Sequence, residues 1–221
     1  MSRHREYYSQ DTWPGWSTIS ANNGNSFTIW LTGLPGTGKS TLAQLLKKAL
    51  IARGFKIEII DTQALTRWLH LELQINEEIS TNSSHTLGYD AFITYICSLM
   101  ARNGIISITS SVSPFSEARK YAREQIPKFI EVFIHCSTEQ RHKRLEQLED
   151  IPAITPDLYQ EPITPELSIE TSEDFPERNA LQVISYLEQH SYLTPLWEDV
   201  DTGDEEVAII KARLQAMGYL E

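Results

Sequence analysis

The sequence predicts an α/β fold in which a parallel β-sheet is covered by helices on both faces. Two observations carry this prediction. From residue 27 onward, short apolar runs rich in β-branched residues alternate with longer stretches of helical periodicity. A glycine-rich turn at 33–38 joins the first apolar run directly to the first helical stretch. Strands that alternate with helices in this way form βαβ units, whose strands are parallel.

Each predicted element has a local reason. A basic turn at Arg53 followed by Gly54 ends the first helix. Ser116 is a plausible cap for the third helix, and Ser137 with Gln140 matches a capping box that opens the fourth. The strands are predicted at 27–32, 55–60, 105–109, 129–134 and 167–171, and the first three helices at 41–50, 87–102 and 116–125.

Composition and charge exclude several classes of partner. The 221 residues carry a formal net charge of −11, which argues against a nucleic-acid backbone or an anionic membrane as the main partner. No apolar run is long enough to span a bilayer, and the charged first residues predict no secretory signal. The two cysteines, Cys97 and Cys136, lack a metal-binding spacing, which favours a reduced, cytoplasmic setting.

The sequence divides into three parts. Residues 1–26 are predicted to form a polar N-terminal extension with scattered aromatic side chains, and residues 27–193 to form the α/β domain. Residues 194–221 are predicted to be a C-terminal helical extension, which packs either on the domain or on another subunit. The second alternative would make the protein a homodimer.

The stretch from Gly33 to Ser40 fits the phosphate-binding P-loop pattern G-x-x-x-x-G-K-[ST]. Its glycines let backbone N–H groups approach phosphate oxygens, and the following helix N-terminus adds partial positive charge. Lys39 is predicted to reach the β- and γ-phosphates and the Ser40 hydroxyl to bind Mg²⁺, so ATP and Mg²⁺ are the predicted cofactors. The predicted nucleotide contacts are Gly33, Leu34, Pro35, Gly36, Thr37, Gly38, Lys39, Ser40 and Thr41.

Asp61 comes directly after the second strand. Ligands of parallel sheets bind beyond the carboxyl ends of the strands, where the P-loop, Asp61, residues 110–113 and Cys136 all fall. A carboxylate at that edge can orient the acceptor nucleophile, accept its proton or bind a metal-bound water. Asp61 could instead only cap the helix that follows it.

An ordered set of motifs resembles the adenylylsulfate kinases, which phosphorylate the 3′-hydroxyl of adenosine 5′-phosphosulfate. The resemblance covers about residues 27–193: it includes the segment from Ile29 through the P-loop to Ala43, Ser113-Pro114-Phe115 with Arg119 after it, and the Tyr159-x-x-Pro162-x-x-Pro165-Glu166-Leu167 segment. It implies a three-layer P-loop kinase fold. By the same resemblance, Ser113 lies near the phosphates and Arg144 lies at the base of a lid, where it would neutralise phosphate charge.

The acceptor side departs from this family. Where the family carries D-G-D-N-x-R, this chain has Asp61 followed by Gln63 in place of the second aspartate, and the arginine, Arg67, is displaced by one residue. No lysine or arginine occurs from His85 to Phe92, where the family has a basic acceptor-binding helix start. The stretch between Arg144 and Tyr159 is short and acidic and has no clear counterpart of the family's basic lid.

These losses point to a small neutral or cationic acceptor, because an anionic one needs guanidinium or ammonium groups. The carboxylates Glu77, Glu78 and Asp90 fit that prediction, although they could instead form a solvated face. The predicted acceptor contacts are Asp61, Arg67, Ser113 and Arg119; Arg67, Arg119 or Arg123 could also replace the missing basic groups.

Three function classes remain open on the sequence alone. The first is an ATP-dependent small-molecule kinase, either a genuine adenylylsulfate kinase or one with a changed acceptor. The second is a non-catalytic nucleotide-binding regulator, which the intact Lys39, Ser40 and Asp61 disfavour. The third is a polynucleotide kinase, which the net charge of −11 disfavours.

Overall fold

Five parallel strands form one sheet in the order β2-β3-β1-β4-β5. All five predicted strands are present, and their ends lie within two residues of the predicted positions. The computed structural model describes residues 26–65, 67, 83–147, 156–173 and 175–195. The strands are β1 Thr28–Thr32, β2 Ile57–Asp61, β3 Ile106–Ser110, β4 Phe129–His135 and β5 Leu167–Glu170.

The helices connect successive strands, as the alternation in the sequence predicts. The helix after the P-loop begins at Lys39, within the motif itself, and the helix predicted from residue 87 begins at Ser83. None of the helices in the described part of the chain is both long and apolar enough to cross a membrane. The helices are α1 Lys39–Ala52, α2 Ser83–Arg102, α3 Ser116–Gln125, α4 Thr138–Leu145 and α5 Pro176–Gln189.

Helices cover both faces of the sheet, so the fold has three layers, as predicted. On one face, α1 and α5 pack together over side chains of the central strands such as Ile29 and Leu31. On the other face, α2 and α3 pack together over Trp30, which is fully buried, with Ile60 and Phe129 beside it. Burial on both faces explains why the strands are apolar along their length.

The predicted N-terminal extension, 1–26, and C-terminal extension, 194–221, lie outside the described residues except for 26, 194 and 195. The three-part division of the chain therefore stays a prediction. Glu77 and Glu78 also lie outside the described residues.

One helix cap is as predicted and another is not. Ser137 Oγ accepts the backbone N–H of Gln140 at 3.2 Å, as the capping box requires. The side chain of Ser116, by contrast, does not cap α3. Its backbone N–H and its hydroxyl both donate to Gln160 Oε1, at 2.9 and 2.7 Å. The N-terminus of α3 is thus capped by a residue 44 positions away along the chain.

The segment from 156 to 166 is fastened to the carboxyl edge of the sheet. Tyr159 Oη lies 3.0 Å from Thr32 Oγ1, and the backbone N–H of Gln160 donates to the Pro114 carbonyl at 2.8 Å. Glu166 accepts the backbone N–H of Glu131 at 2.7 Å. These bonds bring the Tyr159 motif beside the turn that follows β3.

Candidate active site

A pocket of about 480 Å³ opens at the carboxyl edge of the sheet, beside the P-loop. β1 lies between β3 and β4, so the loop after β1 sits where the strand order reverses, which is the usual ligand position in such sheets. The lining residues are Pro35, Gly36, Gly38, Lys39, Ser40, Thr41, Thr62, Gln63, Ser110, Val112, Gln140, Lys143, Arg144 and Gln147.

The P-loop has the backbone conformation that its glycines allow. Gly36 and Gly38 have φ angles of 83° and 93°, in the left-handed region that disfavours other residues. A Cβ on Gly33 would lie 2.1 Å from the Ile134 carbonyl oxygen, so only glycine fits against β4 there. Gly33, Leu34 and Thr37 lie outside the pocket lining, and the Leu34 carbonyl accepts the Thr37 hydroxyl at 2.9 Å.

Lys39 is held by the loop it belongs to. Its Nζ donates to the carbonyl oxygens of Gly33 and Leu34, both at 2.8 Å, and its side chain is buried while still reaching the pocket. Burial lowers the pKa of Lys39 to about 7, against the opposing charges of Asp61 and Cys136. The anionic phosphates of a nucleotide would favour the charged ammonium.

Ser40, Asp61 and Ser110 form an oxygen cluster beside the P-loop. The Ser40 hydroxyl donates to Asp61 Oδ2 at 2.9 Å, and Ser110 Oγ lies 2.9 Å from Ser40 Oγ. The other carboxylate oxygen of Asp61 accepts the backbone N–H groups of Gln63 and Ala64, at 3.0 and 3.1 Å. Asp61 therefore caps the helical turn that follows β2 and also contacts the predicted metal ligand.

This cluster fits the predicted Mg²⁺. Mg²⁺ prefers hard oxygen ligands and usually takes only one or two from the protein, together with phosphate oxygens and water. Ser40 and Asp61 supply such oxygens next to the phosphate-binding loop, and Ser110 adds a third. The assignment of Ser40 as the metal ligand stays a prediction.

One face of α4 closes the pocket over the P-loop. Gln140, Lys143 and Arg144 of α4 line the pocket together with Gln147, which follows the end of the helix; their spacing of three and four residues is a pattern in the sequence that could have revealed this face. The Arg144 guanidinium donates to the Thr171 carbonyl at 2.7 Å, and the Thr171 hydroxyl donates to the Thr37 carbonyl at 2.8 Å. Arg144 is thereby connected through Thr171 to the P-loop residue Thr37, and its role at the base of a lid stays a prediction.

The residues predicted to bind the acceptor lie in different surroundings. Asp61 lies at the oxygen cluster, and Arg67 is exposed on the helical turn after β2. Ser113 is buried outside the pocket lining, where its hydroxyl donates to Asp90 Oδ1 at 2.9 Å. Asp90 itself is 2% exposed, so it does not belong to a solvated face.

Arg119 holds the fold together, contrary to the expectation that it contacts the acceptor. It is 3% exposed, and its Nε donates to Glu131 Oε1 at 2.7 Å. Its two other nitrogens donate to the carbonyl oxygens of Ser113 and Gln160, both at 2.6 Å. Arg123 likewise pairs with Glu166, and with Glu131 at 3.1 Å.

The pocket lining therefore has two differently charged parts. We call the P-loop residues and the α4 face the phosphate half, which carries the cations of Lys39, Lys143 and Arg144. We call the other lining residues in the described part of the chain the acceptor half; they are Thr62, Gln63, Ser110 and Val112, and these four are uncharged. A P-loop at the switch point of a three-layer parallel sheet, with its lysine and its hydroxyl–carboxylate cluster in place, defines a P-loop kinase.

Comparisons with known proteins name the family. Residues 25–170 match the adenylylsulphate kinase family, and this chain belongs to it. A probable adenylyl-sulfate kinase of Pyrococcus abyssi is 34% identical over 176 residues, which cover 76% of this chain and 98% of the relative. An adenylyl-sulfate kinase of Halothermothrix orenii is 30% identical over 191 residues, which cover 82% of this chain and 99% of the relative.

A solved structure shares the fold. The APS kinase of Mycobacterium tuberculosis in complex with AMPPNP and APS aligns with a TM-score of 0.61 at 23% identity, over 74% of this chain and 98% of that one. The resemblance seen in the sequence is thus confirmed. Of the function classes that the sequence leaves open, these comparisons support the ATP-dependent kinase, a phosphotransferase.

Proposed function

We propose that this kinase transfers the γ-phosphoryl group of MgATP to a small neutral or cationic molecule through a hydroxyl, amine or guanidino group. The observation that carries the proposal is that the described residues of the acceptor half are uncharged, whereas the phosphate half carries the three basic side chains Lys39, Lys143 and Arg144. The phosphate half suits a polyanion such as ATP. The acceptor half offers hydroxyl, amide and methyl groups, which suit an uncharged or positively charged partner.

The residues of the site have separate roles in this proposal. The P-loop amides and Lys39 hold the phosphates, and Arg144 and Lys143 approach them from α4. Ser40, with Asp61 beside it, would hold Mg²⁺, whose charge would offset the negative charge that develops on the transferred phosphoryl group. Asp61 orients the acceptor group and accepts its proton. Phosphoryl transfer asks little more of a protein than such positioning and charge stabilisation.

Two of the three arginines that could replace the missing basic groups, Arg119 and Arg123, form ion pairs within the fold. Arg119 and Arg123 both pair with Glu131, and Arg123 also pairs with Glu166. Each charge-assisted contact that is missing costs about 1.5–3 kcal/mol. Two or three such losses weaken the binding of an anionic acceptor by roughly three orders of magnitude or more.

Phosphorylation of adenosine 5′-phosphosulfate is the second candidate, and family membership favours it. The relatives of Pyrococcus abyssi and Halothermothrix orenii carry the name adenylyl-sulfate kinase. Arg67 is exposed and belongs to the helical turn after β2, four residues beyond Gln63 of the acceptor half. This candidate requires Arg67 to supply the binding that the lost basic groups supply in the family.

An acceptor assay decides between the two. We would measure ATP consumption by the full chain with adenosine 5′-phosphosulfate and with a panel of amino alcohols, guanidino compounds and neutral polyols. We expect turnover with a member of the panel and weak or no turnover with the sulfonucleotide. A kcat/KM for the sulfonucleotide inside the usual enzyme range of about 10⁴–10⁸ M⁻¹s⁻¹ would establish the second candidate instead. Lys39→Ala is the control that removes phosphate binding.

Three further expectations belong to this proposal and rest on the sequence. They are a cytoplasmic location, a homodimer formed through the extension at 194–221, and a kinase domain bounded at 27 and 193. Size-exclusion chromatography with light scattering, on the full chain and on a chain ending at 193, tests the last two.

A further inference from the structure

A buried carboxylate on α2 has no part in the mechanism described above. Asp90 is 2% exposed, and its Oδ1 accepts the Ser113 hydroxyl at 2.9 Å. Its Oδ2 has no hydrogen-bond partner within the described part of the chain. A buried carboxylate oxygen without a partner is destabilising, so the contribution of Asp90 to stability does not explain its presence.

The partner of Asp90 holds an unusual backbone conformation. Ser113 has a φ of 41°, in the left-handed region that is sterically unfavourable for a residue with a Cβ. Its hydroxyl also accepts the Trp30 indole N–H at 3.2 Å, and its carbonyl accepts Arg119 Nη1 at 2.6 Å. Side-chain bonds to Asp90 and Trp30 therefore help to fix a conformation that the backbone alone disfavours.

The turn that ends at Ser113 builds part of the pocket. We call residues 110–113 the β3 turn. Ser110 Oγ lies 2.9 Å from Ser40 Oγ, and Ser110 and Val112 both line the pocket. The turn is bonded along its length, because the Ser110 carbonyl accepts Thr62 Oγ1 at 3.0 Å and the Val112 carbonyl accepts Thr32 Oγ1 at 2.7 Å.

We propose that Asp90 is a positioning residue for the phosphate site: through Ser113 it fixes the β3 turn, and the turn holds Ser110 against Ser40. Asp90 touches neither nucleotide nor acceptor. Its effect is on the Ser40 hydroxyl, and so on the strength with which a magnesium-bound nucleotide is held. This inference rests on the proposed function, since it requires Ser40 to serve bound MgATP.

Burial supports an indirect role. It raises the pKa of Asp90 to about 7, against the opposing effects of the Ser113 hydrogen bond and the charge of Arg119 on α3. A group so poorly solvated is suited to hold a neighbour in place. What the β3 turn requires of Asp90 is therefore an oxygen that accepts the Ser113 hydroxyl, which an asparagine also supplies.

The test measures the dissociation constant of ATP by calorimetry, once in EDTA and once in Mg²⁺, and needs no acceptor. The readout is the ratio of the value in EDTA to the value in Mg²⁺, which reports how much Mg²⁺ strengthens ATP binding. Asp90→Ala and Ser113→Ala should each lower this ratio about fivefold, the scale of one lost hydrogen bond, and leave the affinity in EDTA nearly unchanged. The double variant should lose no more than either single variant, because both act through one contact. Asp90→Asn should restore the ratio to within about twofold of wild type.

Ser98→Ala is the matched control, because Ser98 is also a buried polar residue on α2, two turns from Asp90. It should leave the ratio unchanged. An unchanged ratio in Asp90→Ala, losses that add in the double variant, or failure of Asp90→Asn to restore the ratio would each overturn the inference. Circular dichroism checks folding, and if Asp90→Ala does not fold, Ser113→Ala decides alone. Absence of ATP binding in the wild type would overturn the proposed function itself, which separates the two failures.

Discussion

The phosphate half and the acceptor half of the pocket are assembled in different ways. Most of the phosphate half comes from one continuous run of chain, the P-loop with the start of α1. The acceptor half combines residues that follow β2 with residues that follow β3, which lie almost fifty positions apart, as in the bond of Thr62 to Ser110. A binding site formed by one continuous motif has its functional groups fixed by the local sequence. A binding site formed by distant segments depends on which side chains the fold leaves exposed to the pocket.

Charge follows the same division. Lys39 in the phosphate half donates to two carbonyl oxygens of its own loop, those of Gly33 and Leu34, and a bound phosphate can replace these contacts. Near the acceptor half, Arg119 is locked between Glu131 and two backbone carbonyls. A guanidinium group whose N–H donors are used within the fold in this way cannot also bind a ligand. An arginine in the sequence can therefore bind an anionic acceptor only if the fold does not already pair its guanidinium with a carboxylate.

Removal of the Lys39 ammonium should give the largest effect. Lys39→Ala should lower ATP turnover about 10³-fold, because a preorganised cation at the transferring phosphoryl group is lost. Isothermal calorimetry and steady-state kinetics with the best acceptor from the screen measure this. Lys48→Ala, an exposed lysine on the same helix, is the control. Unchanged ATP affinity together with full activity in Lys39→Ala would remove the phosphate half from the mechanism.

Removal of the Arg119 guanidinium should destabilise the folded protein more than it lowers the activity of the folded enzyme. Arg119→Ala leaves the Glu131 carboxylate buried with only Arg123 nearby, and should lower the free energy of unfolding by about 3 kcal/mol. Urea denaturation measures this change. Lys120→Ala, an exposed neighbour on α3, is the control. If Arg119→Ala is as stable as this control but has lost acceptor affinity, Arg119 belongs to the acceptor half after all.

Asp61→Asn tests the oxygen cluster with little structural change. Asparagine caps helices as well as aspartate does, so the helical turn after β2 should keep its bonds to Gln63 and Ala64. The loss of the charge and of the proton acceptor should lower kcat at least ~100-fold, with a smaller change in ATP affinity. Single-turnover kinetics measure this. A near-normal kcat would reduce Asp61 to a helix cap.

The smallest expected effect is a proton taken up by Lys39. Because the pKa of buried Lys39 is about 7, most of its amine is neutral at pH 8, and bound phosphates should restore the charge. MgATP binding at pH 8 should therefore take up nearly one proton from the buffer, and binding at pH 6 almost none. Calorimetry in two buffers of different ionisation enthalpy measures this uptake. Equal binding enthalpies in both buffers at pH 8 would show that Lys39 is charged before ATP arrives.

Features whose causes lie within a few residues could be predicted from the amino-acid sequence. The P-loop needs glycines where φ is positive, as at Gly36 and Gly38, and it needs its lysine one position further on. The capping box of Ser137 and Gln140 closes within one helical turn. The strands and the three layers follow from apolar periodicity, which reports burial directly.

The hydrogen-bond and ion-pair partners of groups that are distant along the chain follow instead from the folded structure. The pairing of Arg119 with Glu131, the cap that Gln160 gives to α3, and the contact of Asp90 with Ser113 join residues separated by 12, 44 and 23 positions. Each of these groups has a polar side chain that could equally face solvent or a ligand. Burial removes that choice, because a polar group withdrawn from water must take whichever partner the fold brings within hydrogen-bonding distance.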